Sequence, residues 1–216
     1  MSPSRRLMLA GVAVLAAAVW SAGPVAAGGS EWHVGSITPS GQTLSMASAD
    51  MPATGLAAFQ FTDQPNTSLL VTTHGASKGS LLGDLRGMTI QAQFTISGAS
   101  AFFYDTTNNP CGTPASTRFF FQTDNSGGFA FTHFWWSNPE SQVLANGTFT
   151  LTATVEPGEW SDWNGKGGLT DPPAFADAAS NGKMIGLSFG GGCFFENGVG
   201  TTDGSGTLTL DSFSVG

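Results

Sequence analysis

Glu156-Pro157-Gly158-Glu159-Trp160-Ser161-Asp162-Trp163 sets three carboxylates and two indoles within eight residues, and that mixture admits two chemistries. Carboxylates facing one another across a cleft, about 5 to 10 Å apart, can cleave a glycosidic bond as an acid with a base or nucleophile. Glu140 and Glu196 are further carboxylates that chain folding can bring near. Indoles flanked by Asp162 and Asn164 can instead hold a sugar without cleaving it. Pyranose rings turn flat C–H faces to an aromatic plane, while amides, carboxylates and guanidinium groups bind the hydroxyls. The segment is rich in Pro and Gly, and an acidic loop of an acidic protein needs no catalytic purpose. Binding is therefore the expected chemistry, with Trp160, Asp162, Trp163 and Asn164 as a loop platform.

A second candidate lies in Thr117 to Ser137, where eight residues are Phe or Trp and a polar Gly-bearing turn separates two aromatic runs. Read as a hairpin, Thr123 pairs with Phe129, Phe121 with Phe131, Phe119 with His133 and Thr117 with Trp135, all on one face that reads as core. The other face carries Arg118, Phe120, Gln122, Ala130, Thr132, Phe134 and Trp136. Aromatics mixed with Arg118 and Gln122 have the composition of a sugar-binding face, so Arg118, Gln122 and Trp136 join the expected ligand-binding set.

Other patterns argue against chemistry. Gly186-Leu187-Ser188-Phe189-Gly190 matches the G-x-S-x-G nucleophile elbow, which needs a helix directly after the serine and a histidine later in the chain. Here Gly191 and Gly192 follow, and His33, His74 and His133 all precede it. A buried strand entering a glycine turn is the expectation. Asp105–Asn109, Asp124–Ser126, Asp162–Asn164 and Asp203–Ser205 offer oxygen ligands of the calcium type, without the spacing of an EF-hand, so a structural calcium has candidate turns but no cofactor is required. Cys111 and Cys193, both in Gly-flanked turns, are expected to form one disulfide closing a loop of about 80 residues, worth roughly 4 kcal/mol in the chain-entropy account.

The elements that must position these groups are short strands punctuated by Gly, Asn, Asp and Pro. Strands are expected near 31–35, 42–48, 56–62, 68–74, 88–97, 100–105, 117–123, 129–136, 147–155, 184–190, 193–196 and 206–215. In Met88 to Ile96 even positions are apolar and odd ones polar, as a half-buried strand requires, and Thr148 to Val155 repeats the device. Leu208, Leu210, Phe213 and Val215 slip from even to odd, which places a bulge near Asp211. One short helix is expected after Asp171 as N-cap, with Pro172 and Pro173 in its first turn and Gly182 as its stop. The fold class is therefore all-β: a two-sheet antiparallel β-sandwich with one short helix.

Residues 1–27 read as a signal peptide, with Arg5 and Arg6, an apolar run from Leu7 to Trp20 and the cleavage pattern Val25-Ala26-Ala27. Ser4-Arg5-Arg6-Leu7 also fits a twin-arginine leader. The remainder, 28–216, is one domain. Loss of the leader removes two basic residues and no acid, leaving five basic against fifteen acidic side chains, a net charge of −10. That balance excludes nucleic acid and anionic membranes as partners. With no later apolar stretch, membrane insertion after cleavage is not expected, and the location is secreted or periplasmic.

Leu82-Gly83-Asp84-Leu85-Arg86-Gly87-Met88-Thr89-Ile90, Phe134-Trp135-Trp136-Ser137 and Ile185-Gly186-Leu187-Ser188-Phe189-Gly190-Gly191 together resemble segments of secreted bacterial β-sandwich domains of the jelly-roll, galactose-binding-like kind. The resemblance spans most of residues 80–216 and implies a fold in which carbohydrate binding is common and catalysis rare. The expected function is non-catalytic binding of an extracellular glycan. The alternatives are a structural or adhesive envelope protein without a small ligand, and a carbohydrate-active hydrolase or lyase.

Overall fold

The computed structural model describes residues 32–38, 41–46, 56–73, 81–104, 114–123, 130–138, 141–192 and 197–216. Its strands are β1 (Trp32–Thr38), β2 (Gly41–Met46), β3 (Ala57–Gln60), β4 (Leu69–Thr72), β5 (Thr89–Ser97), β6 (Phe102–Tyr104) and β7 (Ser116–Gln122). They continue with β8 (Phe134–Ser137), β9 (Gln142–Val143), β10 (Gly147–Thr154), β11 (Trp160–Asp162), β12 (Met184–Gly190), β13 (Val199–Thr201) and β14 (Thr207–Val215), and a single α-helix among the described residues, α1 (Pro172–Ser180), precedes β12.

These strands form a two-sheet antiparallel sandwich. The large sheet runs β11-β8-β7-β12-β4-β1-β2, with β9 paired to the start of β7, and the small sheet runs β10-β5-β14-β3. β6 and β13 make a separate two-stranded ribbon. Alternation in β5 and β10 does what period 2 demands: Ile90, Ala92, Phe94, Ile96, Leu151 and Ala153 turn inward and are buried, while the threonines and glutamines between them face outward. The slip in β14 falls where the apolar pattern placed it, with the register shifting between Leu210 and Ser212. The extra residue, Asp211, accepts a hydrogen bond at 2.8 Å from Thr95 Oγ1.

Between the sheets, rings meet edge to face. Trp32 and Phe119 both lean on Phe213, at 5.1 and 5.9 Å between centroids, and Phe59 meets Phe189 at 5.8 Å. Such pairs add about 0.5–1.5 kcal/mol each beyond the area they bury. α1 plugs one end of this core. Asp171 Oδ1 accepts from Ala174 N at 3.3 Å as the N-cap, Pro172 and Pro173 open the helix, and Phe175, Ala178 and Ala179 are buried. Phe175 reaches Trp135 at 5.0 Å and Phe121 at 6.2 Å, so the helix seals the ends of β7 and β8.

The hairpin register differs from the expectation by four residues. Phe120 pairs with Trp136, Phe121 with Trp135 and Gln122 with Phe134, because Phe131–His133 forms a 3-10 turn instead of continuing the strand. Phe131, expected in the core, is 45% exposed, and His133 does not pair with Phe119. An even shift leaves the side chains of the residues that remain in the paired strands on their original faces. Phe119, Phe121 and Trp135 therefore point inward and Arg118, Phe120, Gln122, Phe134 and Trp136 outward, as the alternation required. Phe129, the disulfide pair Cys111 and Cys193, and the strand expected at 193–196 lie outside the described residues.

Candidate functional site

The outward face of the large sheet gathers side chains from five strands. In register, one row crosses Ser161, Trp136, Phe120, Gly186 and Val71; a second crosses Phe134, Gln122 and Met184; a third crosses Arg118, Ser188 and Leu69. Strand pairing alone thus places Arg118, Gln122 and Trp136 on one surface. Phe120 lies 5.1 Å from Trp136 and 6.5 Å from Phe134, ring to ring. Trp163, from the turn after β11, stands edge-on to Trp136 at 5.7 Å and to Phe134 at 5.6 Å. Leu69, Val71, Phe120, Phe134, Trp136 and Met184 form a second hydrophobic cluster, separate from the core between the sheets.

Polar groups brace this face. Arg118 Nη1 donates to Ser137 O at 3.2 Å and to Asn138 Oδ1 at 2.6 Å, and Asn138 Nδ2 donates to Ser161 Oγ. Ser137 Oγ in turn accepts from Phe119 N at 3.1 Å. The result is a closed chain of bonds across β7, β8 and β11. Trp136 Nε1 is buried and has no hydrogen-bond partner among the described residues. An unmade bond of this kind costs about 1–3 kcal/mol and calls for an explanation. Opposite Phe120 stands Gly186, where a Cβ would lie 2.1 Å from Leu70 O and 2.7 Å from Val71 Cα. Only glycine allows β12 and β4 to approach so closely there.

The turn after β11 is held by one carboxylate. Asp162 Oδ1 accepts from Asn164 N at 2.9 Å and from Lys166 N at 2.8 Å, and Gly165 takes a φ of +73° to complete the turn. The second oxygen, Oδ2, is buried with no partner among the described residues. Asn164 is exposed at the tip and Trp163 is half-buried beside it.

Comparison with protein-family models, with curated proteins and with solved structures finds no match to this chain.

The expected loop platform is divided by the structure. Trp160 lies in β11 and faces the core: it is 1% exposed, its ring meets Phe121 at 4.8 Å and its Nε1 donates to Thr154 O at 2.7 Å. Its partner in the expected platform, Trp163, lies on the opposite side of the sheet. The physical reason is that β11 is a strand paired with β8, where the Pro/Gly-rich composition pointed to a loop, and two residues three apart across a strand end cannot share a face. Asp162 is 3% exposed and works as a turn clamp. Arg118, Gln122, Trp136 and Trp163 are brought together, with Asn164 on the margin.

Of the groups considered for catalysis, Glu140 and Glu196 lie outside the described residues, and Glu159 and Ser188 have structural surroundings. Glu159 Oε2 accepts from Thr154 N at 3.0 Å. Ser188 is fully buried in the middle of β12, with its carbonyl accepting from Thr117 Oγ1 at 2.9 Å, which is a strand and not an elbow. Of the four turns with calcium-type oxygens, two lie among the described residues, and their carboxylates accept backbone N–H groups: Asp162 as above and Asp203, whose Oδ1 accepts from Ser205 N at 3.0 Å. No cluster of three or more His, Cys, Asp or Glu fit to hold a metal occurs among the described residues.

Met184, Val71 and Leu69 were not among the expected members of this face. The alternation of β12 held the signal, because Met184, Gly186 and Ser188 share one parity, but it needs the register with β7 before it can be used.

Proposed function

We propose that the chain is exported by its N-terminal leader and binds an extracellular glycan without cleaving it, using the outward face of the large sheet. The observation that carries this reading is the Trp136–Trp163 pair: one indole half-exposed, the other beneath it with an unpartnered N–H, beside Arg118 and Gln122. A sugar hydroxyl is the kind of acceptor that Trp136 Nε1 lacks, and displacement of the Trp163 ring is what would open the way to it. Asn164 on the margin supplies an exposed amide for a further hydroxyl. The galactose-binding-like resemblance adds support for the same chemistry.

Retention of the released chain on immobilised polysaccharides tests the reading. Trp163→Ala is expected to weaken retention by at least about tenfold, in line with the loss of one stacked aromatic. Trp160→Ala serves as the contrast, since it should destabilise the fold by about 3–5 kcal/mol instead of acting at the site. Retention that survives both Trp163→Ala and Asn164→Ala would exclude this face. A structural or adhesive envelope role without a small ligand is the second reading. It is favoured by the closure of the face, with Trp136 at 1%, Gln122 at 6% and Arg118 at 8% exposure.

The disulfide belongs to the same proposal. Ser116 of β7 pairs with Gly190 of β12, so the start of β7, five residues after Cys111, lies beside the end of β12, three residues before Cys193. Thiol alkylation of the denatured released chain should find no free cysteine before reduction. Reduction should lower stability by roughly 4 kcal/mol on the chain-entropy account.

A further inference from the structure

Among the described residues, one long edge of the small sheet is open. β10 runs eight residues and pairs on one side only, with β5. Thr154 at its end shows which backbone groups face outward: its N–H donates to Glu159 Oε2 and its carbonyl accepts from Trp160 Nε1 and Glu156 N, all away from β5. Backbone direction alternates along a strand, so the N–H and C=O groups of Thr148, Thr150 and Thr152 face the same edge. No strand pairs with that edge among the described residues.

Released proteins protect such edges with charge, proline, a bulge or a covering loop. β11, at the end of the large sheet, is covered by its own loop: Asp162 N donates to Lys166 O and Gly168 N to Trp160 O, both at 2.9 Å. From Gly147 to Ala153, β10 has none of these devices among the described residues. Gly147 to Thr154 contains no charged residue and no proline, and its register with β5 is unbroken. β3, the other edge of the small sheet, is only four residues long.

We propose that β10 pairs antiparallel with β10 of a second copy about a two-fold axis at Thr150, joining two small sheets into one continuous sheet. The free groups select the axis. Centred on Thr150, Thr148 stands opposite Thr152 of the second copy, and each hydrogen-bonded pair exchanges two bonds, so the three pairs make about six. Centring on Leu151 would instead bring in Thr154, whose backbone groups are already bonded. The pairing is self-complementary, as a two-fold interface requires. Thr meets Thr on the outward face, and Phe149, half-buried against Phe94 at 5.6 Å, meets Leu151 on the inward face. Two acidic chains thus meet along a strand where neither carries charge.

Sedimentation velocity of the released chain over a concentration series tests the proposal, and a dimer is expected. Thr150→Lys sets two ammonium groups opposite each other at the axis and should raise the dimer dissociation constant by at least about tenfold. Gln93→Lys adds the same charge one strand inward, where it meets no copy of itself, and should leave the dimer intact. Both side chains are exposed, so circular dichroism should report an unchanged fold. A wild-type chain that stays monomeric throughout, or two lysine variants that behave alike, would overturn the proposal.

Discussion

The two sheets turn opposite chemistries outward. The large sheet shows a second aromatic and aliphatic cluster, braced by buried Arg118 and closed at its margin by Trp163. The small sheet shows threonine, glutamine and serine: Thr148, Thr95 and Thr209 form one row, Thr150, Gln93 and Ser212 the next, and Thr152, Gln91 and Ser214 a third. Thr95 donates to Asp211, so Thr148 must be the donor to Thr95 at 3.0 Å, and the bonds run in one direction from Thr148 through Thr95 to Asp211. Both sheets use the same period of 2, and the difference lies entirely in the outward residues. The large sheet carries apolar groups on both faces, whereas the small sheet is apolar on one face and polar on the other.

That contrast breaks if the outward cluster of the large sheet proves unimportant to stability. Phe120→Ala is expected to cost about 3–5 kcal/mol in urea unfolding, as for a ring lost from a core. A cost below about 1 kcal/mol would show that this face is a surface despite its burial. The same measurement on Ser214→Lys should stay within about 0.5 kcal/mol, because an exposed residue inside the small sheet has little to lose. The smallest effect concerns acid. Hydrogen bonding from the Ser100 and Ser205 side chains and the Ser205 backbone N–H holds the Asp203 carboxyl down to about 2 from its ordinary 3.8. The side chain of Arg86 holds Asp84 at about 2. A depressed carboxyl adds stability above its ordinary value, and that stability is lost as pH falls from about 4 through 2. Tm measured across that window should therefore fall less steeply in Asp203→Asn than in the wild type. An identical slope would remove Asp203 from the account.

Much of this architecture is legible in the amino-acid order, and the exceptions have physical causes. The facing of Arg118, Phe120, Gln122 and Trp136 survives a four-residue error in register because faces repeat every two residues. The bulge at Asp211 and the helix at Pro172–Ser180 are local signals, carried by adjacent residues, and both fall where expected. β11 is different. Its three residues sit in a Pro/Gly-rich acidic run and become a strand only through pairing with Trp135, Trp136 and Ser137, more than twenty positions away. Local composition cannot carry that information, so Trp160 read as a platform residue when it belongs to the core. β9 and β13, of two and three residues, are too short to leave any periodicity.

Of the five tryptophans among the described residues, Trp32, Trp135, Trp136 and Trp160 are at most 1% exposed, and only Trp163 is half-buried. The chain thus carries its own optical reporter. Of these five indoles a small aqueous quencher reaches one, the one that closes the outward aromatic cluster, so their quenchable fraction follows the position of that ring and falls when anything settles over it.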